Sequence, residues 1–158
     1  MINPSKLPLL SRYLFVSAIF IFWLIAVPNF NGRATADDRN DALQAAQNVN
    51  SELDANNLNQ IYDHSCDLIR SQVTKAAFVS QLSISRSTFG GASKTSSTIM
   101  ESNNLDPASH RPVRQFRFLV QYPAALVYED LTMFKDTSDA WKLCGIYFYP
   151  APPGAASE

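Results

Sequence analysis

The chain has few residues of the types that build metal centres and nucleophilic active sites. Its 158 residues include only two histidines and two cysteines. His64 and His110 lie in polar segments, so neither a Ser-His-Asp triad nor a Cys-His pair is indicated. His64 and Cys66 are two residues apart, and side chains at that spacing on a helix do not face one another. We therefore predict no metal site and no cofactor.

Signals for phosphate and nucleic-acid binding are also weak. The segment 90–95 resembles a phosphate-binding loop, but Ser93 stands where the pattern needs glycine, so we interpret it as a turn that ends a helix. The only basic cluster is Arg111, Arg114 and Arg117, which we interpret as a solvated strand edge. We predict no nucleic-acid partner, because the acidic body described below lacks the required basic surface.

An uncharged run over residues 13–27 is the clearest positive signal. Lys6 and Arg12 precede it, and Ala34-Thr35-Ala36 follows it. Fifteen helical residues rise about 22 Å, short of the roughly 30 Å hydrocarbon core, and a small-x-small triplet is typical of a cleavage site. We predict a signal peptide over 1–36, cleaved between Ala36 and Asp37. An uncleaved signal anchor is the alternative, and the only membrane contact would then be through this segment.

Export would leave a single domain with an acidic surface. Residues 37–158 hold ten basic and fourteen acidic residues, a net charge of −4. The expected location is periplasmic or secreted, or the outer side of the inner membrane if the anchor persists. Both Cys66 and Cys144 remain, and an even count in an oxidising compartment favours a disulfide between them. Two separate buried thiols are the alternative.

The apolar periodicity predicts helices in the first part of the mature chain and strands in the second. Helices are expected from about residue 41 to Asn56, over 58–69, and from Thr74 to Gly90. Strands are expected over 116–122, 126–135 and 140–149, with a weaker candidate over 93–101 and a loop over 103–112. In the last strand, Trp141, Leu143 and Tyr147 should share one face and Cys144, Ile146 and Phe148 the other.

This order predicts an α+β domain over 37–149, with N-terminal helices packed on one face of a curved antiparallel sheet. The last strand, apolar on both faces, is expected to be central or covered on both sides. The Pro- and Ala-rich residues 150–158 are expected to form a disordered tail.

The stretch from Ala42 to Tyr149 resembles an exported bacterial family known as domain of unknown function 4019. The resemblance rests on Phe78-Val79-Ser80-Gln81-Leu82, on Phe89-Gly90-Gly91, and on the series Glu129, Trp141 and Gly145-Ile146-Tyr147. It implies a cystatin-like or nuclear-transport-factor-like cone outside the cytoplasm. It implies no activity.

Three functions are compatible with these features. The first is a non-catalytic domain that binds a small apolar ligand or a protein partner in a pocket, for which the candidates are Tyr62, Tyr128, Trp141 and Tyr147. The second is an isomerase- or hydratase-type enzyme, with Asp130 as general base and a tyrosine such as Tyr128 as donor. The third is a membrane-anchored structural or interaction protein, for which a homodimer is one arrangement.

Overall fold

The structure is a computed structural model that describes residues 36–91, 95–105 and 111–155. The described helices are α1 (Ala36–Asp54), α2 (Leu58–Asp63), α3 (Asp67–Gln72) and α4 (Lys75–Thr88). The described strands are β1 (Thr95–Leu105), β2 (Pro112–Gln121), β3 (Leu126–Lys135) and β4 (Trp141–Pro150). The α+β class is therefore confirmed. The predicted leader, apart from Ala36, and His110 lie outside the described residues.

The helical half follows the sequence pattern except at one break. The expected helix over 58–69 is divided into α2 and α3, because the Cys66 backbone is extended and its N–H donates to the carbonyl of Leu143 on β4 at 2.9 Å. The expected start of the third helix is confirmed, since the Thr74 side chain accepts a hydrogen bond from the N–H of Ala77 and caps α4.

The four described strands form one antiparallel sheet in the order β1-β2-β3-β4. Strand β3 has the predicted bounds. Strand β1 runs on to Leu105, so the first part of the predicted loop over 103–112 is strand. Strand β4 lies at the edge of the sheet, so the expectation of a central position was wrong. Its position still leaves one face covered by helices.

A bulge in β4 changes which side chains share a face. Leu143 pairs with Met133 and Ile146 pairs with Leu131, which leaves Cys144 as an extra residue opposite the register shift. An extra residue reverses the alternation beyond it. Ile146 and Phe148 therefore lie on the face of Trp141 and Leu143, and Tyr147 lies on the other face. The expectation that Tyr147 shares a face with Trp141 was wrong for this reason.

One face of the sheet packs on the helices and the other is open. The core between them is mainly apolar; its fully buried members include Ala42, Ala46, Leu53, Val120, Val127 and Leu131. The open face carries Arg117, Asp130 and three tyrosines. A disulfide joins Cys66 to Cys144, with Cα atoms 5.3 Å apart, and so links the helical half to β4.

The C-terminal residues continue from the sheet. Pro150 is the last residue of β4, and the N–H of Ala151 donates to the carbonyl of Leu126 at 2.8 Å. Residues 156–158 of the predicted tail lie outside the described part. None of the helices in the described ranges has the length and apolar character that crossing a membrane requires.

Candidate functional site

A cavity of about 370 Å³ lies between the helices and one end of the sheet. Its walls come from α1, from α2 and the residues after it, from β3 and from the first residues of β4. The lining residues are Ala45, Asn48, Val49, Ser51, Glu52, Gln60, Ile61, His64, Met133, Trp141, Lys142 and Leu143. A volume of this size suits a small molecule rather than a folded partner.

The α1 wall follows from helix geometry. Ala45, Asn48, Val49 and Glu52 are spaced by three and four residues, so their side chains lie on one face of the helix. Alanine at position 45 leaves room between this face and the sheet.

The floor of the cavity is apolar. Ile61, Met133 and Leu143 are almost completely buried beneath it, and the partly exposed Ala45 and Val49 present apolar surface to the space. Such a surface favours an apolar ligand body, because transfer of apolar area out of water is favourable.

Trp141 forms one end of the cavity and keeps an unused hydrogen-bond donor. The residue is 9% exposed, and its indole Nε1 has neither solvent contact nor a hydrogen-bond partner among the described residues. The Arg114 guanidinium and the Lys135 ammonium each lie 6.0 Å from the centroid of the Trp141 ring. A buried N–H without an acceptor costs free energy that a suitable acceptor would recover.

The two cations beside Trp141 are already paired. Arg114 contacts Glu101 at 2.7 Å, and Lys135 contacts Asp38 at 2.5 Å and Asp139 at 2.9 Å. The Asp38 contact also ties the first turns of α1 to the end of β3. Both cations beside Trp141 are therefore neutralised by carboxylates.

Glu52 is the only acidic residue of the lining. Its Oε2 is shielded from solvent and accepts no hydrogen bond from the described residues. The only lysine or arginine of the lining, Lys142, lies 3.4 Å from Asp136 in the hairpin turn. Because an atom facing this space would be accessible to water, Oε2 is turned away from it, and the remaining, partly exposed surface of Glu52 forms the wall.

The disulfide fixes the wall that follows α2. His64 lines the cavity, and Cys66, two residues further on, is bonded to Cys144 and hydrogen-bonded through its N–H to Leu143. Leu143 also lines the cavity, so the disulfide lies next to the lining in sequence and is joined to it by this hydrogen bond.

A buried polar cluster lies elsewhere in the core, around Glu129. This side chain is 1% exposed; Oε1 accepts a 2.5 Å hydrogen bond from the Tyr122 hydroxyl, and Oε2 accepts one of 2.9 Å from the Asn50 amide. Burial raises the pKa of Glu129 to about 7, against the opposing effect of the Tyr122 hydrogen bond. Burial and the neighbouring carboxyl group also raise the pKa of Tyr122.

Arg86 supplies positive charge to this cluster. It is 3% exposed, donates to the Asn56 side chain at 3.2 Å, and lowers the pKa of Glu129. None of Glu129, Tyr122, Asn50 or Arg86 lines the cavity. The cluster therefore belongs to the interior and not to the candidate site.

Of the four predicted pocket residues, the structure places Trp141 at the cavity and the other three away from it. The Tyr62 ring packs against Phe78 with centroids 5.5 Å apart, and its hydroxyl donates to the Val73 carbonyl at 2.8 Å. Tyr128 and Tyr147 lie on the open face of the sheet, and Tyr147 is 41% exposed.

Asp130 also lies on the open face, where its carboxylate accepts hydrogen bonds from an arginine and a tyrosine. Arg117 contacts its two oxygens, each at 2.7 Å, and the Tyr149 hydroxyl donates to Oδ2 at 2.7 Å. The Arg117 guanidinium lies 5.0 Å from the Tyr128 ring centroid and 5.3 Å from that of Tyr149. The two residues proposed for acid–base chemistry are thus neighbours, but outside the cavity.

The pattern analysis missed most of the lining. Asn48 is exposed and Glu52 partly exposed, as polar residues on an amphipathic helix usually are, so the sequence does not mark them as residues of a cavity wall. The available signal was the small size of Ala45, which leaves space beside the sheet. Among the described residues, no group of three His, Cys, Asp or Glu side chains is arranged to hold a metal ion.

Comparison of the chain with protein-family models, curated proteins and solved structures gives no match. The resemblance to domain of unknown function 4019 therefore stays a prediction.

Proposed function

We propose that this chain is an exported, non-catalytic domain that binds a small amphiphilic molecule in the cavity between α1, α2, β3 and β4. The observation that carries this proposal is the combination, in one cavity, of an apolar floor with a carboxylate, Glu52, that makes no ion pair with the described residues.

The compartment is part of the proposal. The predicted leader and the Cys66–Cys144 disulfide both favour an oxidising location such as the periplasm. Helices on one face of a four-stranded antiparallel meander are also compatible with the cystatin-like or nuclear-transport-factor-like cone that the resemblance implies.

Filling the cavity tests the binding site directly. The probe is prodan, a neutral naphthalene fluorophore, added to protein carrying Trp23→Phe, so that Trp141 is the sole tryptophan. Energy transfer from Trp141 to bound prodan should be seen in this protein. Ala45→Phe should weaken prodan binding about tenfold or more, because the added ring occupies the cavity.

The matched control is Ala76→Phe, which adds the same ring at an exposed position of α4. It should bind prodan as the parent does. If Ala45→Phe fails to fold, Ser51→Phe at the exposed rim serves the same purpose. Equal prodan affinity in a cavity-filled variant and in the control would refute the site.

Export is tested on the protein from producing cells. An N-terminus at Asp37 in the soluble periplasmic fraction supports the proposed location. An intact N-terminus in membranes, with the domain outside, supports the anchored alternative. A folded domain in the cytoplasm with reduced cysteines contradicts both.

A further inference from the structure

We propose that the ligand carries a positively charged amine, which the carboxylate of Glu52 binds inside the cavity. This inference rests on the proposed function, because it concerns the same cavity and assumes that a small molecule occupies it. It adds the chemical class of the ligand: an alkyl or aryl amine with an apolar body.

The charges of the lining favour a cation. Glu52 makes no ion pair with the described residues, whereas the lysine of the lining, Lys142, is close to Asp136. Arg114 and Lys135, which lie at the Trp141 ring, have their own carboxylate partners. The carboxylate of Glu52 is therefore the charge at the cavity that a ligand can neutralise.

The side chain of Glu52 can reach the ligand. It lies on α1 with part of its surface exposed, and its three rotatable bonds allow the carboxylate to turn toward the space it lines. Hydrogen bonds between ionised partners are about twice as strong as neutral ones, so an ammonium group should be preferred to a hydroxyl.

The apolar part of the ligand has a defined place. Ile61, Met133 and Leu143 form the floor, and the Trp141 ring closes one end.

Three matched probes test the inference, namely octylamine, octanol and octanoate, each below its micelle-forming concentration. Binding is followed by Trp141 fluorescence in the Trp23→Phe protein and by the indole N–H cross-peak of Trp141 in a nitrogen–proton correlation spectrum. We expect octylamine to bind about tenfold more tightly than octanol, and octanoate to bind most weakly.

Two variants separate the charge effect from general damage. Glu52→Gln should reduce octylamine affinity about tenfold and octanol affinity much less, because the amide oxygen still accepts a hydrogen bond from a hydroxyl but carries no charge. Asp41→Asn removes an acidic group at an exposed position of the same helix, outside the lining, and should change neither.

The outcomes distinguish this inference from the proposed function. Octanol or octanoate binding as tightly as octylamine, or an octylamine affinity unaffected by Glu52→Gln, would overturn the amine and leave the binding cavity standing. Absence of any response to all three probes, by fluorescence and by the indole cross-peak, would overturn the cavity as a ligand site as well.

Discussion

The hydroxyl of Tyr122 lies 2.5 Å from Oε1 of Glu129, and both side chains are almost completely buried. Tyr122 directly follows β2 and Glu129 lies within β3, so the hydrogen bond crosses the β2–β3 hairpin on the face that packs on the helices. Asn50 on α1 holds the other oxygen of Glu129. A carboxyl group therefore links two strands and a helix in the middle of the core.

Stability should fall as the pH rises, because of Glu129. Burial raises its pKa from 4.5 to about 7. Between these two pH values the folded protein therefore keeps a proton on Glu129 that the unfolded chain has released. The stabilising contribution is complete below about pH 4.5 and is lost as the pH passes 7. Urea unfolding from pH 4.5 to 8 should show a loss of about 1–3 kcal/mol from this group.

Glu129→Gln should remove this part of the pH dependence, since the amide does not titrate. The control is Asp41→Asn, which removes an exposed carboxyl group from α1 and should keep the parent's slope. If the unfolding free energy of the Glu129→Gln protein depends on pH between 4.5 and 7 as strongly as that of the parent, other groups cause the effect.

Tyr122→Phe should destabilise the protein at neutral pH by about 1–3 kcal/mol, because it leaves Oε1 of Glu129 buried without its donor. It should also raise the pKa of Glu129 further, since that hydrogen bond lowers it. Tyr149→Phe is a matched control on the open face; Asp130 would keep both Arg117 contacts, so a smaller loss is expected. Denaturant unfolding compares the two, and equal losses would contradict the special role of Tyr122.

The Cys66–Cys144 disulfide should contribute about 2–5 kcal/mol, because it closes a loop with a sequence separation of 78 residues in the unfolded chain. Paired replacement of both cysteines by serine should lower the thermal midpoint to that of the reduced parent. Non-reducing mass spectrometry checks the bond itself. A reductant that leaves the parent's thermal midpoint unchanged would show that the link adds no stability.

Gly145→Val should cost about 1 kcal/mol, because a Cβ at this position would lie 3.3 Å from Cβ of Thr132 on the neighbouring strand. The double variant with Thr132→Ala keeps that Cβ but removes Oγ1, which would lie 3.4 Å from the new atom, and should regain some of the loss. Thermal unfolding of the three proteins measures the coupling. Strict additivity of the two changes would mean that the strain arises elsewhere.

The element order could be predicted because each segment carries its own periodicity. The bounds of β3 and the cap at Thr74 follow from local patterns that the structure keeps. The break at Cys66 could not be predicted, since it depends on a hydrogen bond to Leu143, almost eighty positions away in sequence. Local helix signals cannot report such a contact.

The site was harder to predict than the fold. A single extra residue at Cys144 reverses the alternation of β4, so Tyr147 could not be assigned to its face from the pattern. Glu129 and Asp130 are adjacent in a strand and therefore lie on opposite faces, but the sequence does not say which face is covered. Glu52 could not be recognised as a lining residue, since a polar residue on an amphipathic helix normally faces water.

Cys144 lies in the last strand, whereas Cys66 lies between helices near the middle of the chain. If the chain is exported from its N-terminus, as proposed, the thiol of Cys66 emerges first and nearly half the polypeptide must follow before Cys144 can reach it. In that case the disulfide forms late in maturation, and until then Cys66 is open to mixed disulfides with oxidoreductases or with other nascent chains.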